Sequence, residues 1–209
     1  MHSNDIRHLY DETYFLGGIS KYNGQEIGVG GIQEFKEGEI SADRVVFINQ
    51  VDFKDKNILD VGFGRGEILK YCYDNGAKSC VGIDYSPAAF EIASNYLKET
   101  DVKLYFLAVD ELIEVEENDF EIIYMRSVIE HIPDTEWEIF LKVARWKFNK
   151  NCILFALTPA KKRGDYLQMH NNYQTHANLI ALFENYFETV QIQKIKNTFW
   201  ICCKRLKRK

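Results

Sequence analysis

Short apolar runs alternate with amphipathic stretches from Lys56 onward. The run NILDV (57–61) is mostly apolar and followed by glycines, the pattern of a strand buried on both faces. Glu67 to Asn75 reads as a helix, with Gly76 placed to end it. SCVGID (79–84) is a second strand. Ser86 then sits as an N-cap with Pro87 at the first helical position, and Phe90, Ala93 and Leu97 give that helix its apolar face. VKLYFLAV (102–109) and DFEIIYM (119–125) read as the third and fourth strands. Asp134 or Thr135 can cap the next helix, Thr135 forming a capping box with Glu138. Trp137, Phe140, Leu141, Ala144 and Phe148 form its inner side. NCILFALT (151–158) is the fifth strand. A helix from about Thr175 carries Leu179, Leu182, Phe183, Tyr186 and Phe187, and VQIQKIK and FWICCK, joined by an Asn-Thr link, form a terminal hairpin. Pro87, Pro133 and Pro159 all fall outside the predicted strands.

Strands alternating with helices imply a mainly parallel sheet with helices on both faces, and such sheets bind ligands beyond the carboxyl ends of their strands. The N-terminal stretch differs. Gly17, Gly18, Gly24, Gly28, Gly30, Gly31 and Gly38 crowd together and predict loops and turns, followed by a helix from about Ser41 to Gln50. With 209 residues and 46% hydrophobic content, the chain reads as one domain. Residues 1–50 form a cap or lid segment and residues 51–209 the core.

The net charge is −5, and the final KRLKRK carries five positive charges, leaving the remainder at −10. An acidic body disfavours broad electrostatic binding of nucleic acid. The basic tail reads as a solvated end or a contact for an anionic partner. Five cysteines (Cys72, Cys80, Cys152, Cys202 and Cys203) have irregular spacing and no CxxC, so reduced thiols are expected rather than a disulfide framework or zinc site. The start of the chain lacks the pattern of a signal peptide, and no apolar stretch approaches the roughly 20 residues of a membrane span. A cytoplasmic location is the expectation.

The segment ILDVGFGRGEIL (58–69) carries the clearest chemical signal: Asp60 at the strand end, then Gly62, Gly64 and Gly66 at alternate positions. Glycines there allow unusual backbone angles and close approach of a ligand to the main chain. The helix that follows offers free amides at its start. Asp84 ends the second strand 18 residues after Gly66, where a carboxylate can accept from both hydroxyls of a ribose. The spacing is DxGxGxG rather than the GxGxxG of dinucleotide enzymes. On these residues alone, a dinucleotide and an adenosine-type ligand both remain open.

Later segments bear on that choice. The arrangement resembles the class I S-adenosylmethionine-dependent methyltransferases, from Lys56 to the C-terminus and most sharply over Asn57 to Pro133. The resemblance implies a Rossmann-like, seven-stranded sheet ending in an antiparallel hairpin. It implies S-adenosyl-L-methionine as cofactor and S-adenosyl-L-homocysteine as product. By the same resemblance the turn of Asp60, Gly62, Phe63, Gly64 and Gly66 runs past the methionine part, Asp84 grips the ribose and Tyr85 packs on the adenine. Val109, Asp110 and Glu111 match a loop near the adenine amino group. MRSVIEHIPD (125–134), with Met125, Arg126, Glu130 and His131, matches the region after the fourth strand. Phe63 departs from the small residue or Cys usual there; it either packs away from the turn or narrows the pocket. Tyr10, Tyr14, Phe15 and Gly17 resemble segments that close over cofactor and substrate, or else they pack on a sheet edge. Arg44 resembles an arginine upstream of the first strand, or else lies at the surface.

A hydroxyl acceptor needs a base, which a histidine can supply near neutral pH. Of five histidines, His131 is the first candidate, with a structural hydrogen bond as the alternative. His170, with Asn172 beside it, is the second; His2, His8 and His176 are not expected to act. Glu130 and Tyr10 are candidate substrate contacts. Lys161, Lys162 and Arg163 could bind an anionic group or form a solvated loop. No Asp/Asn-Pro-Pro-Tyr/Phe segment follows the fourth strand, which disfavours methylation of DNA adenine, and no aspartate cluster suggests a metal. The expected acceptor is a small molecule, with a monomer or homodimer as the working unit. A sugar or nucleotide-linked metabolite is implied by the resemblance alone. An RNA or protein methyltransferase, or a non-catalytic S-adenosylmethionine-binding module, are the alternatives.

Overall fold

The computed structural model describes residues 10–16, 19–22, 25–29, 40–160 and 175–207, with residues 19–22 and 25–29 described as backbone only. A short helix α1 (Glu12–Leu16) precedes an antiparallel pair, β1 (Ile19–Tyr22) and β2 (Gln25–Val29). Then come α2 (Ala42–Ile48), β3 (Asn57–Val61), α3 (Glu67–Asp74), β4 (Ser79–Asp84), α4 (Pro87–Tyr96) and β5 (Lys103–Phe106). The chain continues through β6 (Phe120–Arg126), α5 (Asp134–Lys147), β7 (Phe148–Pro159), α6 (His176–Glu184), β8 (Phe187–Ile195) and β9 (Thr198–Leu206). The last seven strands form one sheet in the order β5-β4-β3-β6-β7-β9-β8. Neighbours from β5 to β7 are parallel, while β9 runs antiparallel to both β7 and β8. The order reverses between β3 and β6, which opens a crevice beyond their carboxyl ends.

Each central strand serves two cores, because successive side chains leave on opposite faces. Leu59, Val81, Ile123, Met125 and Leu154 join one core with Trp137, Phe140 and Ala144 of α5. Ile58, Cys80, Ile122, Tyr124 and Phe155 join the other with Phe47 of α2, Leu69 of α3 and Ala93 of α4. Cys202 and Cys203 divide between the two in the same way, and all five thiols are free. Ser41 caps α2 and Ser86 caps α4, each accepting from the amide three residues on. Gly76, at φ +94°, follows α3.

The structure corrects several boundaries, among them Phe148 and Phe187, which open β7 and β8 rather than continue the helices before them. The third strand stops at Phe106, because Val109–Glu114 winds into a 3₁₀ turn whose Ala108 amide donates to Glu111 Oε2 at 2.8 Å. Pro133 is the N-cap of α5 and forms no side-chain cap bond; Asp134 and Glu136 instead place acidic charge in its first turn, where the helix dipole favours it. Pro159 is the last residue of β7, an end position where a missing amide is tolerated. The terminal hairpin turns at Lys196–Asn197, one residue earlier than the Asn-Thr link, with Lys196 at φ +54°.

Candidate active site

The turn after β3 is shaped by three glycines in the left-handed region: Gly62 (φ +72°), Gly64 (+54°) and Gly66 (+79°). The neighbours differ at each. A Cβ on Gly62 would lie 2.4 Å from Val128 Cγ2, and one on Gly66 would lie 2.8 Å from Leu97 Cδ1. Gly62 therefore lets the loop after β6 close in, and Gly66 seats the turn against α4. A Cβ on Gly64 would meet only the Phe15 ring, at 3.5 Å, so this glycine faces the space under α1. Phe63 packs back over Gly82 and Leu69, and borders the cleft as well. Both readings of its side chain are thus partly met.

Asp84 ends β4 and turns back onto this loop. Its Oδ2 accepts from the Gly64 amide at 2.9 Å and its Oδ1 from the Ser86 amide at 2.9 Å. Burial pushes its carboxyl up to about 6, against the lowering effect of those amides. Asp60, 1% exposed, lies beneath, and its Oδ2 has no hydrogen-bond partner among the described residues. Burial, with the nearby Asp84 carboxylate, pushes Asp60 up to about 8, opposed by Arg44 and Arg126.

A buried ionic group braces the turn. The Arg65 guanidinium donates to both oxygens of Glu67 at 3.0–3.1 Å and to the Phe15 carbonyl at 3.4 Å. Arg44 reaches the same Glu67 carboxylate at 3.2 Å from α2. Arg44 is therefore a cleft residue rather than a surface one, as its half-buried side chain lies along the wall.

The opposite rim follows β6. Ser127 holds φ +57°, its amide donating to the Leu157 carbonyl at 2.7 Å, and a short 3₁₀ turn then carries Glu130 and His131. His131 Nδ1 lies 2.7 Å from the Tyr10 hydroxyl. His131 Nε2 is 3.8 Å from Glu130 Oε1, and Glu130 Oε2 accepts from the Thr158 hydroxyl at 2.8 Å. The Ser86 hydroxyl donates to the Tyr10 carbonyl at 2.7 Å, and the Tyr10 ring meets Tyr14, Tyr85 and His131 edge-on with centroids 4.9–5.5 Å apart. Burial raises both the Tyr10 and Tyr14 phenols above their ordinary range.

Between the rims lies a cleft of about 240 Å³. Gly62, Phe63, Gly64, Asp84, Tyr85 and Val109 border it on one side, and Arg126, His131, Tyr10 and Tyr14 on the other. Asp60 and Gly66 lie just behind the turn, and Glu130 lies behind His131. Met125 belongs to the core under α5, since it alternates with Tyr124 and Arg126 along β6. Asp110 and Glu111 do not border the cleft. His170, Asn172, Lys161, Lys162 and Arg163 lie outside the described residues. Arg65, Glu67, Val128 and Glu136 border the cleft without having been singled out in the sequence. Arg65 and Glu67 sit inside the glycine segment, so an ionic pair next to the turn was a usable signal; Val128 and Glu136 carried none.

A parallel sheet with a glycine turn and a strand-end carboxylate at its switch point defines a nucleoside-binding α/β protein. Residues 32–193 match the sequence model of a methyltransferase domain, and the chain belongs to that family, as a class I S-adenosylmethionine-dependent methyltransferase. A relative in Methanocaldococcus jannaschii, named for protein N5-glutamine methylation, is 34% identical over 90 residues, covering 43% of this chain and 44% of that one. A ubiquinone biosynthesis O-methyltransferase of Pelagibacter ubique is 30% identical over 115 residues, covering 54% and 46%. The matched region spans under half the length of either relative. The structure of DhpI with S-adenosylhomocysteine superposes with a TM-score of 0.59 at 12% identity, over 73% of this chain and 78% of that one, a likeness of fold. The cofactor of that family is S-adenosylmethionine. The residues here suit it: Gly64 keeps its part of the wall free of a side chain, and among the described residues a buried Asp60 oxygen stands without a partner. Among the described residues no helix is long and apolar enough to cross a membrane.

Proposed function

We propose that this enzyme methylates an oxygen or nitrogen of a small metabolite, with residues 1–50 acting as a cap over a core of residues 51–209. The observation that supports it best is the Asp84 carboxylate turned onto the glycine loop, 2.9 Å from the Gly64 amide, across one cleft from His131. Asp84 would accept from the ribose hydroxyls, Tyr85 and Val109 would flank the adenine, and the turn from Asp60 to Gly66 would run past the methionine part. S-adenosylmethionine supplies an electrophilic methyl group on a sulfonium. The chain supplies orientation, which is worth roughly 7–11 kcal/mol when the reacting atoms are aligned, and a base for an acceptor that carries a proton. His131 fills the second role. Tyr10 and Tyr14 exclude water from above.

A protein-amide acceptor, suggested by the name of the archaeal relative, gains no support from the chain after β6. That segment reads RSVIEH (126–131) and lacks the Asp/Asn-Pro-Pro-Tyr/Phe pattern that holds a planar amide. Sugars and nucleotide-linked sugars are the first acceptors to assay, by release of S-adenosylhomocysteine. Calorimetric titration tests the foundation: S-adenosylmethionine and S-adenosylhomocysteine should bind with micromolar affinity, and dissociation constants above millimolar for both would discard the reading.

A further inference from the structure

We propose that Tyr10, His131 and Glu130 form a proton relay for a hydroxyl acceptor, with the Tyr10 phenol touching the acceptor oxygen, His131 Nδ1 as the terminal base and Glu130 as a positioning residue. The proposal rests on the methyl-transfer reading and narrows its acceptor to an alcohol or phenol.

The order of the groups follows from their contacts. Glu130 is 2% exposed and anchored through Oε2 to the Thr158 hydroxyl on β7, so its other oxygen stands at a fixed place, 3.8 Å from His131 Nε2. A carboxylate beside Nε2 favours the tautomer with its proton on that nitrogen. The lone pair of the neutral ring then lies on Nδ1, which is the atom 2.7 Å from the Tyr10 hydroxyl. Tyr10 is a buried phenol whose ionisation is disfavoured, so it keeps its proton and donates to Nδ1. The phenol is held from three directions: its carbonyl by Ser86, its ring edge-on by Tyr14 and Tyr85, its hydroxyl by His131. It borders the cleft, and with the Tyr85 hydroxyl also within hydrogen-bonding reach, one lone pair of its oxygen is left for the acceptor.

The acceptor O–H donates to Tyr10 Oη as the acceptor oxygen bonds the methyl carbon, and the former carbon–sulfur pair stays on sulfur. Tyr10 takes the acceptor's proton and passes its own to Nδ1. One proton moves in each of two hydrogen bonds, and the resulting imidazolium faces the Glu130 carboxylate. An amine acceptor attacks through a free lone pair and sheds its proton afterwards, so it would need no base already joined to a protonated phenol.

The test begins with the free protein, uniformly ¹⁵N-labelled. Long-range ¹H–¹⁵N correlation of the imidazoles, with His131 assigned by comparison with His131→Gln, should show the Nε2–H tautomer. Tyr10→Phe should keep that tautomer and move the Nδ1 resonance toward that of an unbonded nitrogen, and Glu130→Gln should shift the tautomer balance toward Nδ1–H. An Nδ1–H tautomer in the wild type overturns the relay alone. In turnover, Tyr10→Phe should lower kcat at least tenfold while calorimetry finds cofactor affinity within twofold, and Glu130→Gln should lower kcat without changing KM. A Tyr10→Phe enzyme with full kcat overturns the relay, and a wild type that methylates amines but no hydroxyl compound overturns the acceptor class. Absence of cofactor binding by the wild type overturns this proposal and the methyl-transfer reading together.

Discussion

The two rims of the cleft are built by different means. On the β3–β4 side the decisive contact, Gly64 to Asp84, joins residues 20 apart, and the glycine backbone does most of the shaping. On the β6 side the decisive contact, Tyr10 to His131, joins residues 121 apart, and Ser86 reaches Tyr10 across 76. The first rim is a local turn that any cofactor of this shape would use. The second is assembled by folding a distant strap over a strained loop. The cofactor rim should therefore fail through lost affinity, and the acceptor rim through lost turnover.

The largest effect belongs to the first rim. If Asp84 holds the ribose as proposed, Asp84→Ala removes a charged acceptor from two hydroxyls, at about 1.5–3 kcal/mol each, so cofactor affinity should fall roughly 10²- to 10⁴-fold. Calorimetry reads this directly, and a loss of under fivefold would mean that Asp84 does not hold the ribose. On the second rim, His131→Ala should leave the dissociation constant within twofold and lower kcat about 10²-fold, near the small end of general-base effects. Full turnover in that variant would remove His131 from the chemistry.

The same contrast explains what the sequence disclosed. The strands NILDV and SCVGID, the Ser86 cap, the glycine turn and Asp84 are local patterns, and each lies where its pattern places it. The third strand was overextended because VKLYFLAV is apolar from Leu104 to its end, and nothing in its periodicity marks the point where Glu111 draws the chain into a cap. Tyr10 and Tyr14 were open between the site and a sheet edge, and Arg44 between the site and the surface, because only tertiary packing decides whether an N-terminal segment lies over a cleft. Val128 stood within the segment after β6 but carried no role of its own: its importance is that it fills the place a Cβ on Gly62, 66 residues earlier, would need.

That close packing gives the next effect in size. Gly62→Ala forces φ +72° on a residue with a Cβ, at about 1–2 kcal/mol, and drives it into Val128 at about 1–3 kcal/mol more. Unfolding in urea should show a loss of roughly 2–5 kcal/mol for the pair of effects. Combining it with Val128→Ala should recover the steric share only. Equal loss in the single and double variants would show that the two rims do not meet there.

Protonation separates the rims further. Asp60 and Asp84 titrate near 8 and 6 in the folded chain, above the ordinary carboxylate range. The folded state therefore binds the extra protons. Each group's stabilising contribution is full below about pH 4 and is lost as pH rises, Asp84's by pH 6 and Asp60's by pH 8, at no more than about 1.4 kcal/mol per pH unit for each group. Asp60→Asn should flatten the upper part of this fall, between pH 6 and 8, in thermal unfolding of the free protein. Cofactor affinity runs the other way: the ribose calls for an ionised Asp84, so affinity should weaken up to about tenfold per unit below pH 6. A thermal shift caused by cofactor that is unchanged from pH 5 to 8 would contradict that link.

The smallest effect sharpens the border of the first rim. The resemblance to other methyltransferases puts Glu111 near the adenine, yet its carboxylate accepts from the Ala108 amide at 2.8 Å and it does not border the cleft. A side chain spent on capping a 3₁₀ turn contributes about 1 kcal/mol to stability, by analogy with helix caps. Glu111→Ala should lower the melting temperature by a few degrees and leave the cofactor dissociation constant within twofold, because Val109, rather than Glu111, is the residue of that turn on the wall. A tenfold loss of affinity at unchanged stability would put the carboxylate back on the adenine and extend the cofactor rim by one turn of chain.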